Sequence, residues 1–139
     1  MITATSELTL YLDGTEVFDS VHQTDFANKK PAVISLPVGV GVIAVNVTPP
    51  DDESSPMFMV SDSLGLLRDS SWRCVTGHVT SNWMRPEVDC SSWPEADDLG
   101  TNSGSVSHFA DDDIWFGVYT SPGERVDNTF CRMDVCKQI

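Results

Sequence analysis

Leu8-Thr9-Leu10-Tyr11-Leu12-Asp13-Gly14-Thr15-Glu16-Val17-Phe18 is the stretch that decides the fold class. Leu8, Leu10 and Leu12 alternate with Thr9 and Tyr11, which is the period of a strand with one face buried. Asp13-Gly14 then offers a tight hairpin turn, because a type I′ turn needs positive φ at both central positions and Asp-Gly tolerates it. Thr15 to Phe18 is the expected return strand. Upstream, the strand pattern is read as beginning at Ile2 and running to Leu12.

Working outward, loop-like sequence continues to Pro31. Val33 to Leu36 is an expected short strand, and Pro37-Val38-Gly39 a turn. Gly41 to Val47 is nearly all apolar, so it is expected to be a central strand covered on both faces. An acidic, Pro/Ser-rich loop spans Pro49 to Pro56. Further strands are expected at Met57 to Val60, Leu64 to Leu67, Ser71 to Val75, Ile114 to Thr120 and Thr129 to Val135, with Ser121-Pro122-Gly123 turning between the last two. Residues 76 to 113 read as irregular. A helix pattern is not evident, nor is βαβ spacing, and the short strands with frequent turns predict an all-β sandwich or barrel.

At 139 residues the chain is expected to form a single domain over 1–139. With 40% hydrophobic residues it carries enough apolar side chains to fold. No apolar run is long enough to predict a membrane span. The start, Met1-Ile2-Thr3-Ala4-Thr5, does not have the basic and apolar regions of a signal peptide. It reads as a mature form with an added Met or as a piece of a precursor. A formal charge of −13 argues against nucleic acid or anionic lipid as partner, since both call for basic surface. It is compatible with simple solubility, a basic partner or cation binding.

The cysteines are Cys74, Cys90, Cys131 and Cys136. Without a CxxC pair or a neighbouring His they read as two disulfides rather than a zinc site, which places the chain in an oxidising, secreted or extracellular setting. Pairing stays open at this level among the three connectivities that four cysteines allow; Cys131–Cys136 would close a small loop easily. Asn46-Val47-Thr48 has the glycosylation pattern, but it lies in an expected strand with Pro49 behind it, so occupancy is not expected.

The motifs also resemble a family. Leu10 to Val17 is similar to a "tLYvNGk.V" hairpin. Leu36-Pro37-Val38-Gly39 with Val42-Ile43-Ala44-Val45 resembles "L.pG.NvIAV". Asp69-Ser70-Ser71-Trp72-Arg73-Cys74 resembles "tDssWk.s", and Asp89-Cys90-Ser91-Ser92-Trp93 with Ala96 resembles "fDdSsW..A". In this order they look like the galactose-binding-like jelly roll attached to rhamnosidases and β-galactosidases and found in extracellular invertebrate proteins. The resemblance implies a jelly-roll β-sandwich, often with one structural calcium. It also implies pairing of Cys74 with Cys131, and hence of Cys90 with Cys136. One departure stands out. The strand pair that opens the enzyme-attached version is not at the start here, and a similar pair occurs at Ala110 to Trp115 and Asp127 to Arg132. A C-terminal position in this subfamily, a permuted chain, or strand exchange between copies would each account for it.

Candidate chemistry is sparse. Trp72, Trp93 and Trp115 fall on motif positions and read as buried core. Trp83 lies in the polar run Thr80-Ser81-Asn82-Trp83-Met84-Arg85 and reads as an exposed aromatic suited to stacking on a pyranose. Asn82, Arg85 and Glu87 would hydrogen-bond to its hydroxyls. Phe116 and Tyr119 are further aromatic candidates. Asp111, Asp112 and Asp113 form the densest carboxylate run and are candidate calcium ligands, although no spacing fits an EF-hand. His22, His78 and His108 are scattered. No nucleophile elbow, zinc motif or phosphate loop is present, so an enzyme is not expected. The leading expectation is a non-catalytic extracellular lectin-like module that binds a glycan or glycoprotein at loops on one end of the sandwich. The alternative is a structural or adhesive subunit that binds protein or itself.

Overall fold

A computed structural model describes residues 2–4, 7–19, 41–49, 56–60, 72–77, 79, 81–86, 93–101, 109, 113–118 and 127–134. Among them are nine strands: β1 Ile2–Ala4, β2 Leu8–Leu12, β3 Thr15–Asp19, β4 Val42–Val47, β5 Met57–Val60, β6 Arg73–Thr76, β7 Asp97–Thr101, β8 Ile114–Gly117 and β9 Thr129–Asp134. They form two antiparallel sheets. The smaller has the order β1-β5-β8-β7 and the larger β3-β2-β4-β9-β6. No helix among the described residues is long and apolar enough to cross a membrane.

The Asp-Gly turn forms as its chemistry requires. Leu12 pairs with Thr15, and Asp13 and Gly14 sit at φ 50° and 88°. Asp13 does more than tolerate the turn. Its Oδ1 accepts hydrogen bonds from the amides of Gly41 and Val42 at 2.9 and 2.8 Å, so the hairpin tip holds the start of β4.

Period-two alternation puts one set of side chains between the sheets. From the larger sheet come Leu8, Leu10, Leu12, Ile43, Val45, Val47, Cys74, Cys131 and Met133. From the smaller come Ile2, Ala4, Phe58, Val60 and Phe116. Trp72, just before β6, closes this core edge-on against Phe58, with ring centroids 4.9 Å apart. The architecture is therefore a β-sandwich. Its central strand β4 is buried on both faces, as the apolar run predicts.

Cys74 and Cys131 face each other across β6 and β9 and are joined by a disulfide. This is the pairing that the resemblance implies, and it excludes a Cys131–Cys136 bridge. Cys90 and Cys136 lie outside the described residues, as do the expected strands at Val33–Leu36 and Leu64–Leu67.

Two expectations need correction. Ile2 to Leu12 is not one strand: β1 belongs to the smaller sheet and β2 to the larger, so the chain changes sheets between them. The reading of 76–113 as wholly irregular misses β7. That strand is Asp97-Asp98-Leu99-Gly100-Thr101, an edge strand with exposed carboxylates and a register shift opposite β8. Its sequence is poor in β-formers, and it exists because β8 supplies the ladder.

The pairing is nested. β4 pairs with β9, and within that span β5 pairs with β8. β6 then lies beside β9, and β7 beside β8.

Candidate functional site

Each sheet also carries an apolar cluster on its outer face. On the smaller sheet, Met59 and Trp115 pack with Phe109, and Met57 and Leu99 lie against them. On the larger sheet, Val42 and Ala44 pack with Trp83, flanked by Tyr11, Val79, Met84, Trp93 and Phe130. The second cluster contains Trp83, the aromatic that the sequence singles out.

Strand register explains how it is built. Tyr11 pairs with Ala44, Ala44 with Arg132, Arg132 with Arg73, and Arg73 with Glu95. Directly paired antiparallel residues share a face. One row, Tyr11–Ala44–Arg132–Arg73–Glu95, therefore crosses the outer face of the larger sheet. Ala44, on β4, is the small member of this row, and Trp83 packs there.

Trp83 is 4% exposed. Tyr11 and Phe130 meet it edge-on, with centroids at 5.6 and 5.1 Å, and Trp93 stacks on it at 6.4 Å with 20° between the planes. The expectation of an exposed, sugar-stacking Trp83 is corrected: rings surround it, and it anchors its loop to the sheet. Phe116 is likewise a core residue rather than a binding aromatic.

Two arginines fasten the covering loops. Arg132 is 1% exposed, and its Nη1 donates to the carbonyls of Trp83 at 2.8 Å and Arg85 at 3.1 Å. Arg73 Nη1 donates to the carbonyl of Trp93 at 2.7 Å. Like charges directly opposite on neighbouring strands are unfavourable in themselves. Here each guanidinium meets the backbone oxygen of a tryptophan-bearing loop, and hydrogen bonds from charged donors are the stronger kind.

The loop that Trp83 anchors is a turn, in which the Arg85 amide donates to the Asn82 carbonyl at 3.0 Å. Ser81, Asn82, Arg85 and Pro86 are exposed around the buried indole. Arg85 also rests on the hairpin tip: a Cβ added at Gly14 would stand 3.0 Å from Arg85 Cγ. The structure thus brings Asn82 and Arg85 together over the outer face of the larger sheet. Glu87 lies outside the described residues.

Trp93 is the residue that sequence reasoning assigns to the core and the structure does not. It is half-buried and packs on the outer cluster. Pro94 and Glu95 follow it, exposed. Their segment adds to the free side of β6, where the Cys74 amide donates to Pro94 O and the Ala96 amide to Trp72 O. The other motif tryptophans are buried as expected, although Trp115 serves the outer cluster of the smaller sheet.

Of the carboxylate run, Asp113 is buried just before β8, whereas Asp111 and Asp112 lie outside the described residues. Among the described residues no group of three or more His, Cys, Asp or Glu side chains is placed to hold a metal ion. Asn46 of the glycosylation pattern lies in β4, where its Oδ1 accepts from Asn128 Nδ2 at 3.3 Å.

No family model matches the chain, and neither does any curated protein or any solved structure.

Proposed function

We propose that the chain is a non-catalytic, extracellular carbohydrate-binding module of lectin type, built as a galactose-binding-like jelly roll. The nested order of β4–β9 around β5–β8 supports the jelly-roll reading, because a long hairpin folded across two sheets produces that order. The Cys74–Cys131 bridge supports an oxidising compartment, with Cys90–Cys136 as the second bridge. Calcium, as a structural ion, belongs to this proposal through the resemblance alone.

The observation that carries the binding reading is the presentation of Asn82 and Arg85. Both are exposed, and both stand on a turn whose middle is held to the sheet by buried Trp83 and by Arg132. Side chains carried on a backbone held in this way lose less entropy on binding a ligand than those on a loose loop. Vicinal sugar hydroxyls suit a pair of amide and guanidinium. The turn that carries them covers the outer cluster of the larger sheet and meets the β2–β3 hairpin tip.

A glycan array probed with the disulfide-intact protein, in calcium and again with a chelator, tests this. Selective binding that Arg85→Ala removes, with no loss of stability, supports the reading. The chelator arm reports whether calcium is needed. An array blank in both conditions overturns it.

A second reading, as a self-associating structural or adhesive subunit, is favoured by one observation. Val17, on the edge strand β3, is the exposed large apolar residue among those described, at 43%. Edge strands with exposed apolar groups invite pairing with another chain. Sedimentation over a wide concentration range distinguishes it: concentration-dependent growth that Val17→Lys abolishes supports self-association, and a constant monomer contradicts it.

A further inference from the structure

We infer that Trp93 is the stacking aromatic of the site, with Arg73 and Glu95 beside it, and that the ligand is a pyranoside with an apolar ring face. This rests on the carbohydrate-binding reading and goes further by naming the surface that the sugar covers.

Trp83, the obvious indole, has no free surface to offer. Tyr11, Phe130 and Trp93 all pack on its ring, and it is 4% exposed. Trp93 has one face turned to Trp83, nearly parallel to it at 20°. The opposite face therefore points away from the anchor, and the residue is half-buried rather than buried. An aromatic side chain with one packed face and one wet edge is the usual form of a recognition residue. Its position is also fixed from behind, because Arg73 Nη1 holds the Trp93 carbonyl at 2.7 Å. That bond fixes the backbone of Trp93, and the stack on Trp83 limits where its ring can go.

The polar groups around it suit the same ligand. Glu95 is exposed and pairs across the sheet with Arg73, so carboxylate and guanidinium share the face from which Trp93 rises. A carboxylate accepts from sugar hydroxyls, and a guanidinium donates to them. The array of one aromatic face with a few convergent polar groups is what small-ligand sites use for orientation.

The tryptophans provide their own readout. Four are present in the chain. Trp72, Trp83 and Trp115 are buried and Trp93 is not. Acrylamide therefore quenches chiefly Trp93. The experiment titrates the disulfide-intact protein with the methyl pyranosides of galactose, glucose, mannose and rhamnose, following binding by calorimetry and quenching in parallel. The expected result is that a pyranoside that binds also shields the quenchable tryptophan. Trp93→Ala should weaken binding at least about tenfold, an effect of roughly 1.4 kcal/mol, while Trp93→Phe keeps most of it. Denaturant midpoints confirm that both variants fold. If Trp93→Ala destabilises the protein, Trp93→Phe and wild-type quenching carry the test. A pyranoside that binds without shielding, or that binds wild type and Trp93→Ala equally, overturns the Trp93 assignment and leaves the carbohydrate reading standing. Failure of every pyranoside to bind wild type overturns the pyranoside assignment, and an array that is also blank overturns the carbohydrate reading with it.

Discussion

Gly14 and Trp83 meet through Arg85, and each has a measurable consequence. Gly14 lies at φ 88°, and a Cβ there would press on Arg85 Cγ at 3.0 Å. Gly14→Ala combines left-handed backbone strain with displacement of the Arg85 stem. It is expected to lower stability by about 1–2 kcal/mol in urea unfolding, and to weaken glycan binding as Arg85 moves. Trp83→Ala removes the ring that covers Ala44 and is expected to cost about 3–5 kcal/mol in the same measurement. Loss of binding in that variant would follow from the loosened loop, so it says nothing about stacking. The burial of Trp83 was hard to read because its sequence neighbours Ser81, Asn82 and Arg85 are polar. A usable signal existed elsewhere: Gly41 to Val47 is apolar on both faces, so something apolar had to cover the outer one. The sequence does not say which residue arrives there, because that depends on the path of a loop.

At the scale of elements, β6 and β9 are joined both by their ladder and by Cys74–Cys131, which spans 57 residues of chain. Closing a loop of that length restricts the unfolded chain, and a Cys74→Ser/Cys131→Ser variant is expected to lose about 4 kcal/mol in urea unfolding. A loss below about 1 kcal/mol would place the stability of that edge in packing alone. β4 bears on modification. Asn46 sits in this central strand with its side-chain oxygen bonded to Asn128, and glycosylation favours surface loops. Intact-mass analysis of protein secreted from a glycosylating host is therefore expected to show no glycan on Asn46. The elements with clean patterns, β2, β3, β4 and β9, were legible in the sequence, because alternation, an Asp-Gly turn and an apolar run have direct physical causes. β7 was not, because Asp97, Asp98 and Gly100 oppose strand formation locally and its partner β8 decides the matter. The break between β1 and β2 was hidden for a related reason: apolar residues continue on both sides of it.

For the whole molecule, two sheets enclose one core, and each carries an apolar cluster on its outside as well. The sandwich class and the Cys74–Cys131 bridge could be anticipated from strand pattern and motif resemblance. The outer cluster of the larger sheet could not, since the row beneath it is drawn from four strands and the segment beside β6. In a chain with formal charge −13, Arg73, Arg85 and Arg132 gather on that one face. Two of them hold loop carbonyls. Under the proposed function this face, with Asn82, Arg85 and Trp93, receives a glycan while Trp83 stays buried beneath. Amide and indole NMR shifts followed through a titration with the best array glycan test it most directly. The largest changes are expected on Asn82, Arg85, the Trp93 indole and Arg73, with the Trp83 indole protected from solvent exchange throughout. Changes centred on β3 or on the smaller sheet, or a Trp83 indole that exchanges freely and shifts most, would contradict it.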